Sequence, residues 1–223
     1  MPGNSRLVQS SQDGIHPSLQ VLLARHLATP WRQPLADHSR LAFNSLSQWR
    51  RQRSECPLWM DSGCGTGRAT VQLAEENPDV LVVGLDQSAA RLERGRQRYP
   101  VLPDNALLLR AECADLWRLM VSAGWTLQRH YLLYPNPWPK PGHLQRRWHG
   151  HPVFPTLLAL GGLLELRSNW SIYVDEMAQV LAFMGCSGSH GSFTASSPLT
   201  DFEEKYQHSD HSLYRLTYSL DCG

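Results

Sequence analysis

The feature that most constrains the fold is the segment LWMDSGCGTG at residues 58–67. Its apolar start predicts a buried strand, the acid Asp61 follows, and Gly63, Gly65 and Gly67 then occupy alternate positions before a helical pattern. Glycine lacks a Cβ and a helix N-terminus presents free N–H groups, so strand, glycine turn and helix together suit a nucleotide-like ligand. On its own, such a turn is also typical of an ordinary strand–helix junction.

Length and composition predict one globular domain. The chain has 223 residues, of which 42% are hydrophobic and 18% charged, which is enough for one large core and short for two domains. No apolar run approaches the ~20 residues of a transmembrane helix, and the polar N-terminus lacks a signal-peptide core, so a cytoplasmic location without membrane contact is expected. The net charge of +1 excludes a uniformly basic nucleic-acid-binding surface, so RNA would have to meet local basic patches.

The spacing of cysteines and histidines predicts no metal site. The five cysteines are scattered without a CxxC pair. His143, His149 and His151 are clustered, but they lie in a proline-broken loop with no accompanying carboxylate, which disfavours a metal centre.

From residue 57 onward, predicted strands alternate with predicted helices, a pattern that favours an α/β fold with a doubly wound, mostly parallel sheet. The expected strands cover residues 58–61, 80–86, 106–111, 127–134 and 163–167, with two final antiparallel strands within 189–195 and 212–220. Two further helices, at 16–28 and 39–53, make residues 1–55 an N-terminal helical extension, and residues 56–223 form the main domain.

Acidic residues follow three successive predicted strands. In a doubly wound sheet, ligands bind beyond the carboxyl ends of the strands, where the strand order reverses. Asp86, which closes the second strand, suits an acid that accepts hydrogen bonds from ribose hydroxyls. The GxGxG spacing of the first turn differs from the GxGxxG of nicotinamide and flavin binders. Asp61, Asp86 and Glu112 together therefore predict a cofactor site of nucleotide type.

The loop after the fourth predicted strand carries the most specific pattern, YPNPWPKPGHLQRRWHGHP at residues 134–152. Its prolines make it stiff, so that the side chains it presents are pre-positioned. Cations interleaved with aromatic rings are what an RNA contact uses, the cations for phosphates and the rings for bases. A rigid loop with a solvated basic face is the alternative interpretation.

Several of these segments resemble known motifs. Residues 58–67 and Asp86 resemble the first motif and the ribose-binding acid of Rossmann-like class I methyltransferases, which use S-adenosylmethionine. YPNPWPKPGHLQRRW resembles the signature of the bacterial tRNA (guanine-N7-)-methyltransferase family, written roughly FPDPWxKxxHxxRR. RSNWSIYVDEM at 167–177 and LTDFEEKY at 199–206 resemble two further segments of that family. The only two lysines of the chain, Lys140 and Lys205, lie in matched segments.

The resemblance implies an enzyme that forms 7-methylguanosine in tRNA, with tRNA or another RNA as its partner and Asn136 at the catalytic position. It implies that S-adenosylmethionine is held by Asp61, Gly63, Gly65, Gly67, Asp86, Gln87, Glu112 and Asn136. It implies that the guanine nucleotide and the tRNA backbone meet Lys140, His143, Arg146, Arg147, Asn169, Thr200, Asp201, Phe202 and Glu203.

The chain departs from the family at two positions, because asparagine stands at 136 and at 169 where the family has aspartate. The sequence around Asn136 also partly matches the [DN]PP[YFW] motif of enzymes that methylate exocyclic or amide nitrogens. Methylation of another RNA, protein or small-molecule nitrogen therefore remains an alternative, as does a weakly active homologue that binds cofactor or RNA.

Overall fold

The computed structural model describes residues 5–221 and has the predicted α/β architecture. Within these residues one sheet contains seven strands: β1 (Leu58–Ser62), β2 (Leu81–Asp86), β3 (Ala106–Arg110), β4 (Arg129–Leu133), β5 (Leu163–Ser168), β6 (Gly188–Phe193) and β7 (Leu213–Ser219). Each predicted strand is present, with bounds that shift by one or a few residues.

The strand order is β3-β2-β1-β4-β5-β7-β6. Strands β1 to β5 pair in parallel, whereas β7 is antiparallel to both of its neighbours, as predicted for the final pair. The chain order reverses between β1 and β4, so that the loops after these strands diverge and leave a crevice at the carboxyl edge of the sheet. The predicted cofactor loop follows β1 and the proline-rich loop follows β4, so the two loops lie on either side of this crevice.

The described helices are α1 (Leu19–Ala28), α2 (Asp37–Arg51), α3 (Arg68–Glu76), α4 (Ala89–Arg98), α5 (Cys113–Ser122), α6 (Phe154–Ala159), α7 (Ser171–Phe183) and α8 (Asp201–Gln207). The proline-rich loop contains two short 3₁₀ helices, Pro141–Arg146 and Trp148–Gly150. Helix α8 was not predicted from the sequence. Its signal is a Thr-x-x-Glu capping pattern, because the Thr200 hydroxyl accepts a hydrogen bond from the Glu203 N–H at 3.0 Å.

Both faces of the sheet are buried. Leu58 and Met60 on β1 belong to one buried cluster and Trp59 to the other, because successive strand residues point to opposite faces. Leu23 of α1 and Leu46 of α2 belong to the first cluster, so the two N-terminal helices pack directly on the main core. Across residues 5–221, no helix combines the length and the apolar character needed to cross a membrane.

Candidate active site

The glycine loop after β1 is fixed by backbone hydrogen bonds to β2. The N–H groups of Gly63 and Cys64 both donate to the Leu85 carbonyl oxygen at 2.8 Å. Gly63, Gly65 and Gly67 have φ angles of 84°, 61° and 82°, in the left-handed region that favours glycine. A Cβ built on Gly63 or Gly65 would meet no atom within 4 Å. The loop therefore leaves open space for a ligand directly beside its backbone.

Helix α4 packs closely against this loop at a glycine. A Cβ built on Gly95 would lie 2.4 Å from the carbonyl oxygen of Thr66, the residue between the second and third loop glycines. The backbone fixes the positions of both a Cβ on Gly95 and the Thr66 carbonyl oxygen, so no rotamer change can relieve the overlap. The position of the cofactor loop thus depends on a glycine outside the motif.

We expect Gly95→Ala to destabilise the protein by about 1–3 kcal/mol, the usual range for overpacking, although Gly→Ala in a helix interior normally stabilises. The sign of the change is diagnostic because only the contact with Thr66 opposes the helix propensity. Urea unfolding would measure it. The matched control is Gly191→Ala on β6, where a Cβ meets no atom within 4 Å. A stabilised Gly95→Ala variant would contradict the close contact.

Asp61 is buried on the protein side of the glycine loop. Its carboxylate is 1% exposed and accepts a hydrogen bond from the Thr70 hydroxyl of α3 at 2.7 Å. Burial and, to a smaller extent, the nearby Asp86 charge raise the pKa of Asp61, whereas the hydrogen bond from Thr70 lowers it. The resulting pKa is about 6. Asp61 therefore lies at the predicted cofactor site as a residue that ties β1 to α3 beneath the loop.

The ends of β2 and β3 bring together the predicted ribose and adenine contacts. The carboxylate of Asp86 accepts hydrogen bonds from the Gly65 N–H at 3.0 Å and the Ser88 N–H at 2.7 Å. Gln87, with its amide oriented to satisfy both groups, donates to the two carboxylate oxygens of Glu112 at 3.0 and 3.2 Å. The glycine loop, Asp86 and Glu112 thus lie along one edge of the sheet.

The proline-rich loop presents Asn136, Lys140 and Arg146 to solvent. The Asn136 side-chain oxygen accepts a long hydrogen bond from the Trp138 N–H at 3.4 Å. The Trp138 ring packs with the Arg146 guanidinium at 4.7 Å and with the half-buried His143 ring at 5.6 Å. A cation, an aromatic ring and a carboxamide therefore lie on the loop that follows β4, beside the crevice.

Arg147, predicted to lie along the tRNA backbone, is instead buried, which contradicts that prediction. Its side chain is fully buried, and its guanidinium donates to Glu176 of α7 at 2.6 Å and to the Trp138 carbonyl oxygen. Glu176 also accepts a hydrogen bond from His149 at 2.7 Å. Trp138 has a φ angle of 46°, which is unusual for a bulky residue, and the bonds from Arg147 to its carbonyl oxygen help to hold this strained backbone.

The N-terminal segment before α1 closes over the same cluster. The Gln12 amide and the His16 N–H both donate to the second carboxylate oxygen of Glu176, at 2.7 and 2.9 Å. The Ser10 hydroxyl donates to the Pro139 carbonyl oxygen at 2.6 Å. Glu176 thus joins the N-terminal segment, the proline-rich loop and α7. Burial by itself would raise the pKa of Glu176, but the bonds from His149 and Arg147 lower it to about 2.

In the segment Thr200–Glu203, the burial of Glu203 contradicts its predicted contact with the guanine. Thr200 caps α8, and Glu203 is fully buried, where it accepts hydrogen bonds from Tyr134 and Arg167 at 2.8 and 3.0 Å. Asp201 is ion-paired with Arg68 and Arg98 at 3.0 and 2.8 Å. Phe202, which is 52% exposed, is the member of this segment that faces solvent with an apolar ring. The other three side chains are engaged in structural contacts.

Asn169, predicted to face the guanine, lies at the end of β5 and is hydrogen-bonded to His211 at 3.1 Å. The His211 ring stacks on Tyr206 at 5.1 Å, and Tyr206 stacks on Phe202 at 6.1 Å. Asn169 therefore borders a short column of rings that ends at the exposed Phe202.

Sequence reasoning missed two residues of the site. Glu176 carries no signal that separates it from the adjacent Asp175, which is 46% exposed on the same helix. Arg91 lies one turn into α4, close to Asp86, because the Ser88 cap starts that helix. Among residues 5–221, no group of three or more His, Cys, Asp or Glu side chains is arranged to hold a metal ion.

Comparison with known proteins gives a family. The model of a family described as "Putative methyltransferase" matches residues 55–216. The tRNA (guanine-N(7)-)-methyltransferase of Leifsonia xyli subsp. xyli is 29% identical over 73% of this chain and 75% of its own length. The enzyme of the same name from Pseudoalteromonas atlantica is 24% identical over 73% of this chain and 72% of its own.

Solved structures agree with the fold. The 16S rRNA methyltransferase KamB superposes with a TM-score of 0.61 at 20% identity, covering 86% of this chain and 97% of that protein. The 16S rRNA (adenine(1408)-N(1))-methyltransferase from Catenulisporales acidiphilia, with its cosubstrate SAM, has a TM-score of 0.55 at 15% identity, with 78% and 89% coverage. At these identities, the likeness is one of fold.

Proposed function

This chain belongs to the methyltransferase family whose model matches residues 55–216, and from that premise we propose that it transfers a methyl group from S-adenosylmethionine to N7 of a guanine in tRNA. One observation carries the proposal. The glycine loop and the proline-rich loop with Asn136 and Lys140 follow adjacent strands, β1 and β4, on either side of the point where the strand order reverses, and Asp86 at the end of β2 is hydrogen-bonded to the glycine loop. The names of the relatives support tRNA as the substrate.

The residues at the first of these loops fit the cofactor. The space beside Gly63 and Gly65 is open, and the Asp86 carboxylate lies directly next to Gly65. An acid at this place accepts hydrogen bonds from ribose hydroxyls, and Glu112 at the end of β3 suits the adenine amino group. When bound, S-adenosylmethionine supplies an electrophilic methyl group on a sulfonium centre.

The residues of the second loop suit a guanine nucleotide. Guanine N7 carries a lone pair and no proton, so its methylation requires no general base, and the protein contributes mainly by positioning the base. The exposed Asn136 carboxamide can accept one hydrogen bond from the guanine N1–H or N2–H. Lys140 and Arg146, both exposed, provide cations for phosphates. A tRNA substrate is consistent with the predicted cytoplasmic location.

The two asparagines lead to a prediction. A carboxylate would stabilise the positive charge that develops on the purine and would accept both guanine N–H bonds. Because a charge-assisted bond is worth about 1–3 kcal/mol, and about 1.4 kcal/mol is tenfold in rate, we expect the Asn136→Asp, Asn169→Asp double variant to methylate tRNA at least about fivefold faster. Single-turnover transfer assays would measure the rate. Asn44→Asp, at an exposed position of α2, is the matched control and should leave the rate unchanged. A slower double variant would mean that the site has been rebuilt around asparagine.

Nucleoside analysis tests the proposed function itself. Unmodified tRNA transcripts are incubated with the protein and methyl-labelled S-adenosylmethionine, and the digested RNA is separated. We expect label in 7-methylguanosine. Label on an amino group would establish the alternative nitrogen acceptor, and cofactor binding without transfer to tRNA, total RNA or protein would establish a non-catalytic role.

A further inference from the structure

The ribose acid carries more hydrogen bonds than its role requires. Asp86 Oδ1 accepts from the Ser88 N–H, and Oδ2 accepts from both the Gly65 N–H and the Arg91 guanidinium, the last at 3.1 Å. The first two donors are backbone groups that form the turn. The third is a long side chain from α4.

Arg91 lies on the open side of the carboxylate. Asp86 is 2% exposed, whereas the Arg91 side chain is 50% exposed. The other two donors belong to the loop and to the helix cap, which are parts of the fold. Of the three donors to Asp86, Arg91 is therefore the one whose side chain extends to solvent.

A ribose diol and Arg91 compete for the same oxygens. Two ribose hydroxyls donate two hydrogen bonds to a carboxylate that already accepts three, and Oδ2 already accepts two. A carboxylate has about four lone-pair sites in all, so the three protein bonds leave about one place. The backbone donors cannot leave without opening the glycine loop. Arg91 can leave, because its side chain is half exposed and the free guanidinium is well solvated.

We propose that Arg91 is a displaceable cover on the ribose-binding carboxylate, and that its displacement sets the affinity for the cofactor. The proposal rests on the proposed use of S-adenosylmethionine. Arg91 pairs with Asp86 when the site holds no ribose and turns out to solvent when a ribose diol binds. The ion pair places a positive charge beside the buried Asp86 carboxylate, which lies near Asp61. Cofactor binding is weakened by the free energy needed to break this pair.

Isothermal titration calorimetry of S-adenosylhomocysteine with the full chain tests this. We expect Arg91→Met to bind about twofold to fivefold more tightly, because binding no longer has to break an ion pair whose cation is half exposed. Arg91→Lys should return the affinity to within about twofold of wild type, since lysine restores the charge. Arg94→Met, at an exposed position of the same helix, is the matched control and should match wild type.

A second pair of probes separates competition from a change in α4. In competition titrations, Arg91→Met should strengthen the binding of adenosine and leave that of 2′,3′-dideoxyadenosine unchanged, because only the diol needs the carboxylate. Unchanged or weaker S-adenosylhomocysteine binding by Arg91→Met, or an equal gain with the dideoxy probe, would overturn the inference. A folded wild-type protein that does not bind S-adenosylhomocysteine at all would instead overturn the proposed function.

Discussion

Replacing Glu176 by alanine is expected to lower the free energy of unfolding by about 3–5 kcal/mol, the range for removing one partner of a buried ion pair. The variant leaves the guanidinium of Arg147 buried without its carboxylate and removes the acceptor of His149. It also releases the N-terminal segment, which is held at Glu176 through Gln12 and His16. Urea unfolding at pH 7.5 would measure the change.

The neighbouring acid provides a control. Asp175 precedes Glu176 on α7, but its side chain is 46% exposed and lies 3.9 Å from His190. Asp175→Ala should change the free energy of unfolding by less than about 1 kcal/mol. The double variant Glu176→Met, Arg147→Met should recover much of the loss, since it removes both buried charges. A Glu176→Ala protein within about 1 kcal/mol of wild type would contradict the role of this cluster.

The same cluster predicts a pH dependence. The pKa of Glu176 is about 2 in the folded protein, below the ordinary glutamate value of 4.5 that applies to the unfolded chain, so the unfolded state binds the proton more tightly. The stabilisation from Glu176 is therefore fully present above about pH 5 and is lost as the pH falls from there towards 2.

An effect of opposite sign in the acidic pH range belongs to Asp61. Burial raises its pKa from 3.8 to about 6, so the folded state binds the proton more tightly than the unfolded state. The penalty for ionising Asp61 is absent below about pH 4 and complete above about pH 6. A shift of one pKa unit corresponds to about 1.4 kcal/mol. From pH 4 to pH 7 the wild type should therefore lose about 3 kcal/mol of stability relative to Asp61→Asn, which has no carboxyl group to ionise.

Denaturant unfolding of both proteins across this pH range would test the prediction for Asp61. The change with pH is the informative quantity, since it does not depend on how well the new amide is hydrogen-bonded. Asp79→Asn, in the exposed turn before β2, is the control and should show a constant difference from wild type. A constant difference for Asp61→Asn would mean that the carboxylate is solvated in the folded protein.

The sequence predicted the sheet and the position of its acidic strand ends well, for a physical reason. Buried parallel strands read as short apolar runs, and the ends of such strands are marked by Asp61, Asp86 and Glu112, so local pattern and tertiary position coincide. The residues that bind the methyl acceptor are harder to predict. The local sequence around a basic or acidic side chain does not show whether that side chain meets solvent or a buried partner.

Arg146 and Arg147 show this limit most clearly. They are adjacent in one basic run, yet Arg146 is exposed and Arg147 is fully buried against Glu176, which is 29 residues away in the chain. Glu203 is similar, since its partner Arg167 lies on β5. Only the pairing of distant elements decides which of these charges are free for RNA, and a single sequence does not show that pairing.

The most direct test of the central claim removes the reacting atom. Two transcripts of the same tRNA are prepared, one with guanosine and one with 7-deazaguanosine, in which carbon replaces N7. The protein is incubated with each and with methyl-labelled S-adenosylmethionine. The proposed function predicts label in the guanosine transcript and none in the 7-deazaguanosine transcript. Equal label in the two transcripts would contradict methylation at N7.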